Sequence, residues 1–508
     1  MKKILTLSVL FFIISCGSGN DSGSLNSNLA PPPSLNSFSF LTVNNPDLNN
    51  NLSLNLNTTL SGDIYVGRIE DNINVSELIP TFTYNGSSVT VKGISQKSDT
   101  SKNDFNKIVT YTVSNSDGIQ KNYQIDLTKF TGLPVIHLFT DGSTPIVSKD
   151  DYIEGDVDVD GWRNFENLNN LSMKIRGRGN STWGHPKKPF QMKLSDKSPF
   201  LGMPSDKKWL FLAEYSDKTL LRNTIAFELG YISNLEWTPA SEFAEVFINN
   251  EYNGTYNISQ KVEESDNRVV LGDNGYLLEL DQLNRIDSDD VYFESVITDK
   301  FIINIKEPDL DRTSDKYTYI KNLINDFEVA LYSSDFQNED IGYKQYIDLE
   351  SFIDWYLISE ITKNVDSRWY SSIYLNVIPG QKIKMGPLWD FDLAFGNTDY
   401  ADTRYYEGWW VRYNPWYERL FEDPVFTEMV KDRFNYFKDN EVNILQMIDM
   451  YADKLKWAQA KNNDKWDTLG RYVWPNPIVF DTYEEEIDHL KDWYSNRMQW
   501  LDDAFKNL

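Results

Sequence analysis

Residues 386–397, Gly-Pro-Leu-Trp-Asp-Phe-Asp-Leu-Ala-Phe-Gly-Asn, place two carboxylates inside a run that is otherwise apolar, aromatic or glycine. On a β-strand, Asp390 and Asp392 would point to the same face. Burying carboxylates is unfavourable unless a cation neutralises them, and a divalent metal ion is the usual cation. The alternative is a tight turn in which both carboxylates accept hydrogen bonds from backbone amides. This stretch therefore predicts either a metal-binding pair or a hydrogen-bonded turn.

A second stretch, residues 172–195, contains six lysines and arginines and no acidic residue, in a chain whose net charge is −27. Gly177, Gly179 and Gly184 allow backbone amides to approach a ligand closely, as in the amide nests that bind phosphate. Strand alternation after the turn allows Lys193 to face the cleft beneath it. The stretch predicts a polyphosphate-binding turn, although a basic hairpin face without a ligand would have the same composition.

A third stretch contains Asp366, which follows an apolar helical segment at 349–363 and precedes Asp390 by 24 positions. A hairpin-like pair, 371–377 and 383–388, is predicted between the two aspartates. Protein kinases bring a catalytic aspartate and a metal-binding aspartate to one phosphate in this chain order. The order of the three stretches therefore favours a phosphate site.

Hydrophobic periodicity predicts the remaining architecture. Short alternating runs between residues 35 and 130, separated by turns such as Asn85-Gly86, predict a small β-sandwich of immunoglobulin-like type. Strand-like segments then mix with one helix at 218–230. Beyond Thr313, apolar residues at helical spacing predict helices at 317–331, 349–363, 424–438, 442–460 and 482–505.

The first residues predict the location of the protein. Lys2 and Lys3 precede an apolar segment too short to span a bilayer, and Ile-Ile-Ser-Cys ending at Cys16 fits a lipobox. We expect acylation of Cys16, which is the only cysteine, with residues 17–34 as a tether. An ordinary signal peptide is the alternative. The acidic balance, with a pI of about 4.5, disfavours nucleic acid as a partner.

Several multi-residue motifs, in this order, resemble the CotH kinase family, atypical kinase-like proteins named after a spore coat protein. The resemblance covers about residues 133–420. It rests on the runs at 175–183, 186–193, 221–223, 254–258, 266–268, 275–281, 364–366 and 386–397. The lipobox, the β module and the asparagine-rich style resemble a surface lipoprotein of the Bacteroidetes type.

The resemblance implies an α+β chain with an atypical bilobal protein-kinase-like domain. Such a domain would bind ATP and Mg²⁺ and phosphorylate Ser or Thr in a partner protein. The expected organisation is a lipoprotein signal (1–16), a linker (17–34), an Ig-like β-sandwich (35–130), the CotH kinase-like domain (133–420) and a C-terminal helical region (421–508). The expected location is the cell envelope, with a lipid anchor in the outer membrane, and the body facing either the periplasm or the cell exterior.

Carried over residue by residue, the resemblance makes Asp366 the catalytic base and Asp390 the magnesium ligand, with Asp392 in support. Glu279 would border the adenine. The expected nucleotide- and phosphate-binding residues are Arg176, Gly177, Gly179, Lys188, Lys193 and Glu279.

A second function class is a non-catalytic surface scaffold, or a lipoprotein that binds a glycan or a protein, on the same fold. Ser371 and Ser372 stand where kinases carry a second metal-binding asparagine, which motivates this reading. The aromatic run at 405–417 motivates it too, because exposed aromatic rings stack on sugars or bind partners. The alternative for this run is burial between the kinase-like body and the C-terminal helices.

Overall fold

The structure is a computed structural model that describes residues 30–59, 62–70, 73–298 and 301–508. The predicted lipoprotein signal with Cys16, and most of the predicted linker, lie outside the described residues. Within the described ranges, no helix combines the length and apolar character needed to cross a bilayer. The chain divides into two compact units, Met1–Leu127 and Thr128–Leu508.

The first unit contains two sheets, with strand orders β2-β1-β5 and β3-β4-β9-β8-β6-β7. Their bounds are β1 Ser34–Phe40, β2 Leu52–Ser53, β3 Asn55–Thr59, β4 Gly62–Ile69, β5 Pro80–Asn85, β6 Ser88–Val91, β7 Ile94–Ser95, β8 Val109–Ser114 and β9 Gln120–Lys129. Phe38 contacts Phe82 in its own sheet and Tyr111 of the other, with ring centroids 6.0 and 5.0 Å apart. Alternation of buried and exposed side chains therefore gives this unit an aromatic core shared by both sheets.

The second unit begins with a closed seven-stranded barrel of order β10-β11-β12-β13-β14-β16-β15. Its strands are β10 Val135–Thr140, β11 Ile153–Asp160, β12 Leu168–Gly177, β13 Phe190–Phe200, β14 Met203–Leu212, β15 Ser241–Ile248 and β16 Glu251–Gln260. Where β12 pairs with β13, Met173 and Ile175 of one strand and Met192 and Leu194 of the other are buried in the barrel core. These inward side chains fill the interior, so the barrel is a packed core without a channel.

A five-stranded sheet of order β18-β19-β17-β20-β21 follows the barrel. Its strands are β17 Tyr276–Asp281, β18 Val291–Glu294, β19 Ile302–Glu307, β20 Ile373–Val377 and β21 Lys384–Met385. The hairpin predicted between Asp366 and Asp390 is confirmed as the antiparallel pair β20–β21.

Seven α-helices lie in the described part of the chain, and together with the sheets they confirm the mixed α+β class. They are α1 Arg222–Tyr231, α2 Asp315–Tyr332, α3 Leu349–Ile361, α4 Pro415–Leu420, α5 Pro424–Asp439, α6 Glu441–Trp466 and α7 Tyr483–Lys506. The long predicted helices are confirmed, whereas the short α4 was not predicted.

Helix α1 begins later than the sequence predicts. The predicted start was Lys218, but the helix begins at Arg222. The carboxylate of Asp217 accepts hydrogen bonds from the backbone N–H of Arg222 at 2.8 Å and of Thr219 at 3.1 Å. This side chain therefore stabilises a turn over the intervening residues and satisfies an amide at the start of the helix.

The acid stability of the second unit should depend on His489 of α7. Burial and the nearby Arg222 charge lower the pKa of His489 from 6.5 to about 4. The unfolded chain therefore binds the proton more readily, and this group reduces the free energy of unfolding as pH falls from 6.5 towards 4. We expect His489→Gln to gain stability relative to wild type across that window, measured by urea denaturation at several pH values. A difference between the two proteins that does not change with pH would contradict this expectation.

Candidate active site

A cavity of about 240 Å³ lies between the barrel and the five-stranded sheet. The barrel contributes the loop after β12 and the residues that follow β14. The opposite wall contains side chains from β17 and β20 and from the turns around Asp366 and Asp390. The three stretches that the sequence singles out therefore meet at one cavity.

Asp390 and Asp392 lie on an irregular turn, not on a strand, and both side chains line the cavity. Asp390 has a φ of +66°, and its carbonyl accepts a hydrogen bond from Asn364 Nδ2 at 3.0 Å. The next backbone N–H, of Phe391, donates to Asn223 Oδ1 at 2.7 Å. Side-chain amides thus hold the backbone of the turn while its carboxylates face the cavity. Burial, followed by the charge of Asp390, raises the pKa of Asp392 well above its usual range.

Asp366 begins a short 3₁₀ turn that follows α3. Ser371 Oγ donates to Asp366 Oδ2 at 3.4 Å, and Arg285 in turn donates to Ser371 Oγ. Burial and then the charge of Asp390 raise the pKa of Asp366 to about 7, while Arg285 opposes the shift. A carboxylate with a pKa near neutral pH is suited to general base catalysis.

The glycine-containing loop contributes an arginine that the sequence did not identify as a site residue. Arg178 lines the cavity, and its guanidinium lies 5.5 Å from the ring centre of Trp389. Gly179, which also lines the cavity, has a φ of +88°. A Cβ on Gly177 would lie 2.3 Å from the ring of Trp183, so this glycine permits close packing of the loop. The run Arg-Gly-Arg-Gly at 176–179 indicates that an arginine reaches the site, but the sequence does not show which of the two does so.

The cationic residue from the Lys187-Lys188 pair that reaches the cavity is Lys187. Its buried Nζ donates to the carbonyl of Thr255 and to Asn462 Oδ1, the latter at 2.9 Å. Burial lowers the pKa of Lys187 to about 7, while Glu214 and Glu245 oppose the shift. The sequence predicts Lys188 and Lys193 as the phosphate-binding lysines instead.

The other predicted basic residues do not line the cavity. Lys188 Nζ donates to the carbonyl of Trp183 at 2.7 Å. Lys193 stands opposite Lys174 in the register of β12 and β13. Arg176 lies over the ring of Tyr152, 4.8 Å from its centre. The structure therefore places Lys188, Lys193 and Arg176 outside the cavity lining.

Two glutamates also line the cavity. Burial raises the pKa of Glu279 to about 7, opposed by Lys306, whose Nζ lies 3.7 Å from the carboxylate. Glu214 was not predicted; burial and Asp217 raise its pKa to about 8. Asn223 Nδ2 donates to Glu214 at 3.1 Å. Since Asn223 also accepts a hydrogen bond from Phe391 N–H, it links Glu214 to the Asp390 turn.

The cavity contains more carboxyl than cationic groups. Its carboxyl groups belong to Glu214, Glu279, Asp366, Asp390 and Asp392, and its cationic groups to Arg178, Lys187 and Arg285. Among the described residues, no three Asp, Glu, His or Cys side chains converge closely enough to hold a metal ion unaided. Mg²⁺ commonly takes one or two carboxylates and completes its coordination with water and substrate phosphates. The pair formed by the half-buried Asp390 and the buried Asp392 fits that pattern.

Comparison with known proteins finds a family model that matches most of this chain. The family model described as CotH kinase protein matches residues 175–501, from β12 into α7. No curated protein matches the chain. A solved structure from Bacteroides thetaiotaomicron, described as a "putative glycoside hydrolase", is 13% identical, covers 59% of this chain and 88% of its own, and has a TM-score of 0.15. That score supports no inference about fold or activity.

The ionisation of Asp366 should lower stability at high pH. With a folded pKa of about 7 and an ordinary value of 3.8, the penalty is absent near pH 3 and develops as pH rises through 7. We expect Asp366→Asn to raise the free energy of unfolding relative to wild type at pH 8, and to change it little near pH 3, with EDTA present throughout.

Asp311 is a control of opposite sign, because hydrogen bonds from Thr313 lower the pKa of its carboxyl. Asp311→Asn should therefore be less stable than wild type at pH 8. If Asp366→Asn changed stability equally at both pH values, the assigned electrostatic environment of Asp366 would be wrong.

Proposed function

The chain belongs to the CotH kinase protein family, and from that membership we propose that it is an atypical protein kinase. It transfers a phosphoryl group from ATP–Mg²⁺ to Ser or Thr of a partner protein. The observation that carries the proposal is the meeting of Asp366, Asp390 and Asp392 with Arg178 and Lys187 around one cavity. Phosphoryl transfer requires this combination of charge stabilisation and a group that orients the acceptor.

Each residue then has a role that follows from its surroundings. Asp390 and Asp392 would hold Mg²⁺, which when bound neutralises phosphate charge. Arg178 and Lys187 bind phosphate oxygens from the barrel side of the cavity. The loop that carries Arg178 turns at Gly179. Asp366 orients the acceptor hydroxyl and accepts its proton, which its raised pKa favours near neutral pH.

The finer architecture belongs to the same proposal. The barrel and the remainder of the second unit act as two lobes with the nucleotide between them, and Glu279 lies on the wall opposite the glycine-containing loop. The two sheets of the first unit form an Ig-like spacer. Lipidation of Cys16 anchors the protein in the outer membrane and holds the kinase domain at the cell surface.

The aromatic run at 405–417 gives little support to a glycan-binding scaffold. Trp416 and Tyr417 are buried, and Trp409 packs against Trp500 and Phe505 of α7 at 5.2 and 4.9 Å. These contacts favour the packing interpretation, with Trp409 against the C-terminal helix α7 and Tyr417 against Tyr356 of α3. Tyr405 and Tyr413 in the same run are exposed.

Phosphoryl transfer tests the proposal directly. With γ-labelled ATP and Mg²⁺, we expect transfer to the protein itself or to an added protein substrate. Loss of a general base costs about 10²–10⁴ in rate, so Asp366→Asn should lower transfer by at least about 100-fold. Absence of transfer by wild type to any protein, together with ATP binding that is unchanged in Asp390→Asn, would reject the proposal.

The neighbouring lysines provide a matched test of phosphate binding. A hydrogen bond to a charged group contributes about 1.5–3 kcal/mol, so Lys187→Met should weaken ATP–Mg²⁺ binding by about 10-fold or more. Lys188→Met should bind as wild type does, because Lys188 points to Trp183. Calorimetry gives the dissociation constants, and ligand-free melting temperatures verify folding. Equal losses in both variants would contradict the assignment of Lys187.

A further inference from the structure

The segment 402–414, which follows the Asp390 turn, has no role in the proposed chemistry. It contains most of the aromatic run and lies between the Asp366 turn and helix α7. Three charged side chains hold it, and two of its own side chains contact the backbone beside Asp366. This arrangement connects the C-terminal helix to the proposed catalytic residue.

Arg497 of α7 is fully buried and binds both this segment and α3. Its guanidinium donates to the carbonyls of Tyr406 and Gly408 at 2.7 and 2.8 Å. It also forms an ion pair with Glu360 of α3 at 2.7 Å. An arginine satisfied in this way fixes two carbonyls of the segment relative to both helices.

Glu360 and Lys363 hold the segment from the α3 side. The Glu360 carboxylate accepts the backbone N–H groups of Trp410 and Arg412 at 2.8 and 2.7 Å. Lys363 Nζ donates to the carbonyls of Asp402, Tyr405 and Glu407. Backbone groups of the segment are thus bound by buried charges, so its position is set by α3 and α7.

From this fixed segment, two side chains reach the Asp366 turn. Trp410 Nε1 donates to the carbonyl of Val365 at 3.2 Å. Asn414 Nδ2 donates to the carbonyl of Arg368 at 2.7 Å. These carbonyls lie on either side of Asp366, and a 3₁₀ turn of three residues has few internal hydrogen bonds of its own.

We propose that Trp410 and Asn414 are positioning residues that fix the orientation of Asp366, and that Arg497 makes α7 part of this support. The inference rests on the proposed kinase function for its kinetic consequence. Asp366 is half-buried near the like charge of Asp390, which opposes a close approach of the two carboxylates. External hydrogen bonds to the backbone of the turn hold Asp366 near Asp390 against that repulsion.

Trp410→Phe tests the inference because it keeps an aromatic ring but removes the indole N–H, together with ring volume that the matched control below also removes. A displacement of about 1 Å at a reacting group can cost about 10²-fold, so we expect kcat to fall about 10- to 100-fold. ATP binding should stay unchanged, because Trp410 does not line the cavity.

Trp493→Phe is the matched control. The indole N–H of Trp493, on α7, donates to the carbonyl of Arg404 in the same segment at 3.1 Å, whereas that of Trp410 donates to Val365 beside Asp366. This variant should retain kcat within about twofold while losing a similar hydrogen bond. Equal kcat in the two variants would overturn the inference.

A readout without activity separates this inference from the kinase proposal. Hydrogen exchange of backbone amides at 366–370 should accelerate in Trp410→Phe and not in Trp493→Phe, whether or not the protein transfers phosphate.

If Trp410→Phe fails to fold, Asn414→Ser replaces it. Serine can still cap α4, as Asn414 does by accepting from Trp416 N–H, but is too short to reach Arg368. Unchanged exchange at 366–370 in the folded variant would reject the positioning role.

Discussion

Mutual repulsion among buried and half-buried carboxylates is the constraint on which the second unit of this protein depends. Asp366, Asp392 and Glu214 all have a pKa raised first by burial and then by a neighbouring acidic group. Groups of this kind separate or lose their charge unless the surrounding structure holds them. Their proximity is therefore unfavourable for the ligand-free fold, and the Mg²⁺ that we propose for this site would offset it.

The structure holds these groups mainly through their backbone. Asn364 and Asn223 bind the main chain on either side of the Asp390 side chain, and Trp410 and Asn414 do the same around Asp366. In this way the turns are fixed while the carboxylates remain available to a ligand. Strain and uncompensated charge at such positions are typical of functional sites, where stability is exchanged for a preorganised geometry.

The sequence predicted the fold class, the long helices and three of the carboxylates that line the cavity. Asp390 and Asp392 stand out because carboxylates in an apolar run are unfavourable without a partner, and Asp366 stands out through its place in the chain order before them. The basic half was harder to predict. Lys187 and Lys188 are chemically identical neighbours, and only the structure shows that Lys188 donates to the Trp183 carbonyl while Lys187 lines the cavity. Glu214 and Arg178 belong to segments whose local pattern resembles an ordinary strand end or turn.

The start of α1 shows the same limit on a smaller scale. Apolar spacing from Lys218 onward is helical, but the Asp217 side chain competes for the backbone amides and delays the helix to Arg222. The aromatic run at 405–417 is a further example, because its composition suits both a binding surface and a packed interface. Its contacts with α7 could be known only once that helix had a position.

The hydrogen bond between Lys187 and Asn462 joins residues separated by 275 positions. Contacts of such long range form late, because a large loop must close before they contribute. A chain still being synthesised can complete its barrel, yet it cannot fix Lys187 until α6 is present, nor the support of Asp366 until α7 follows. Assembly of the site is thereby delayed until nearly the whole second unit has been made.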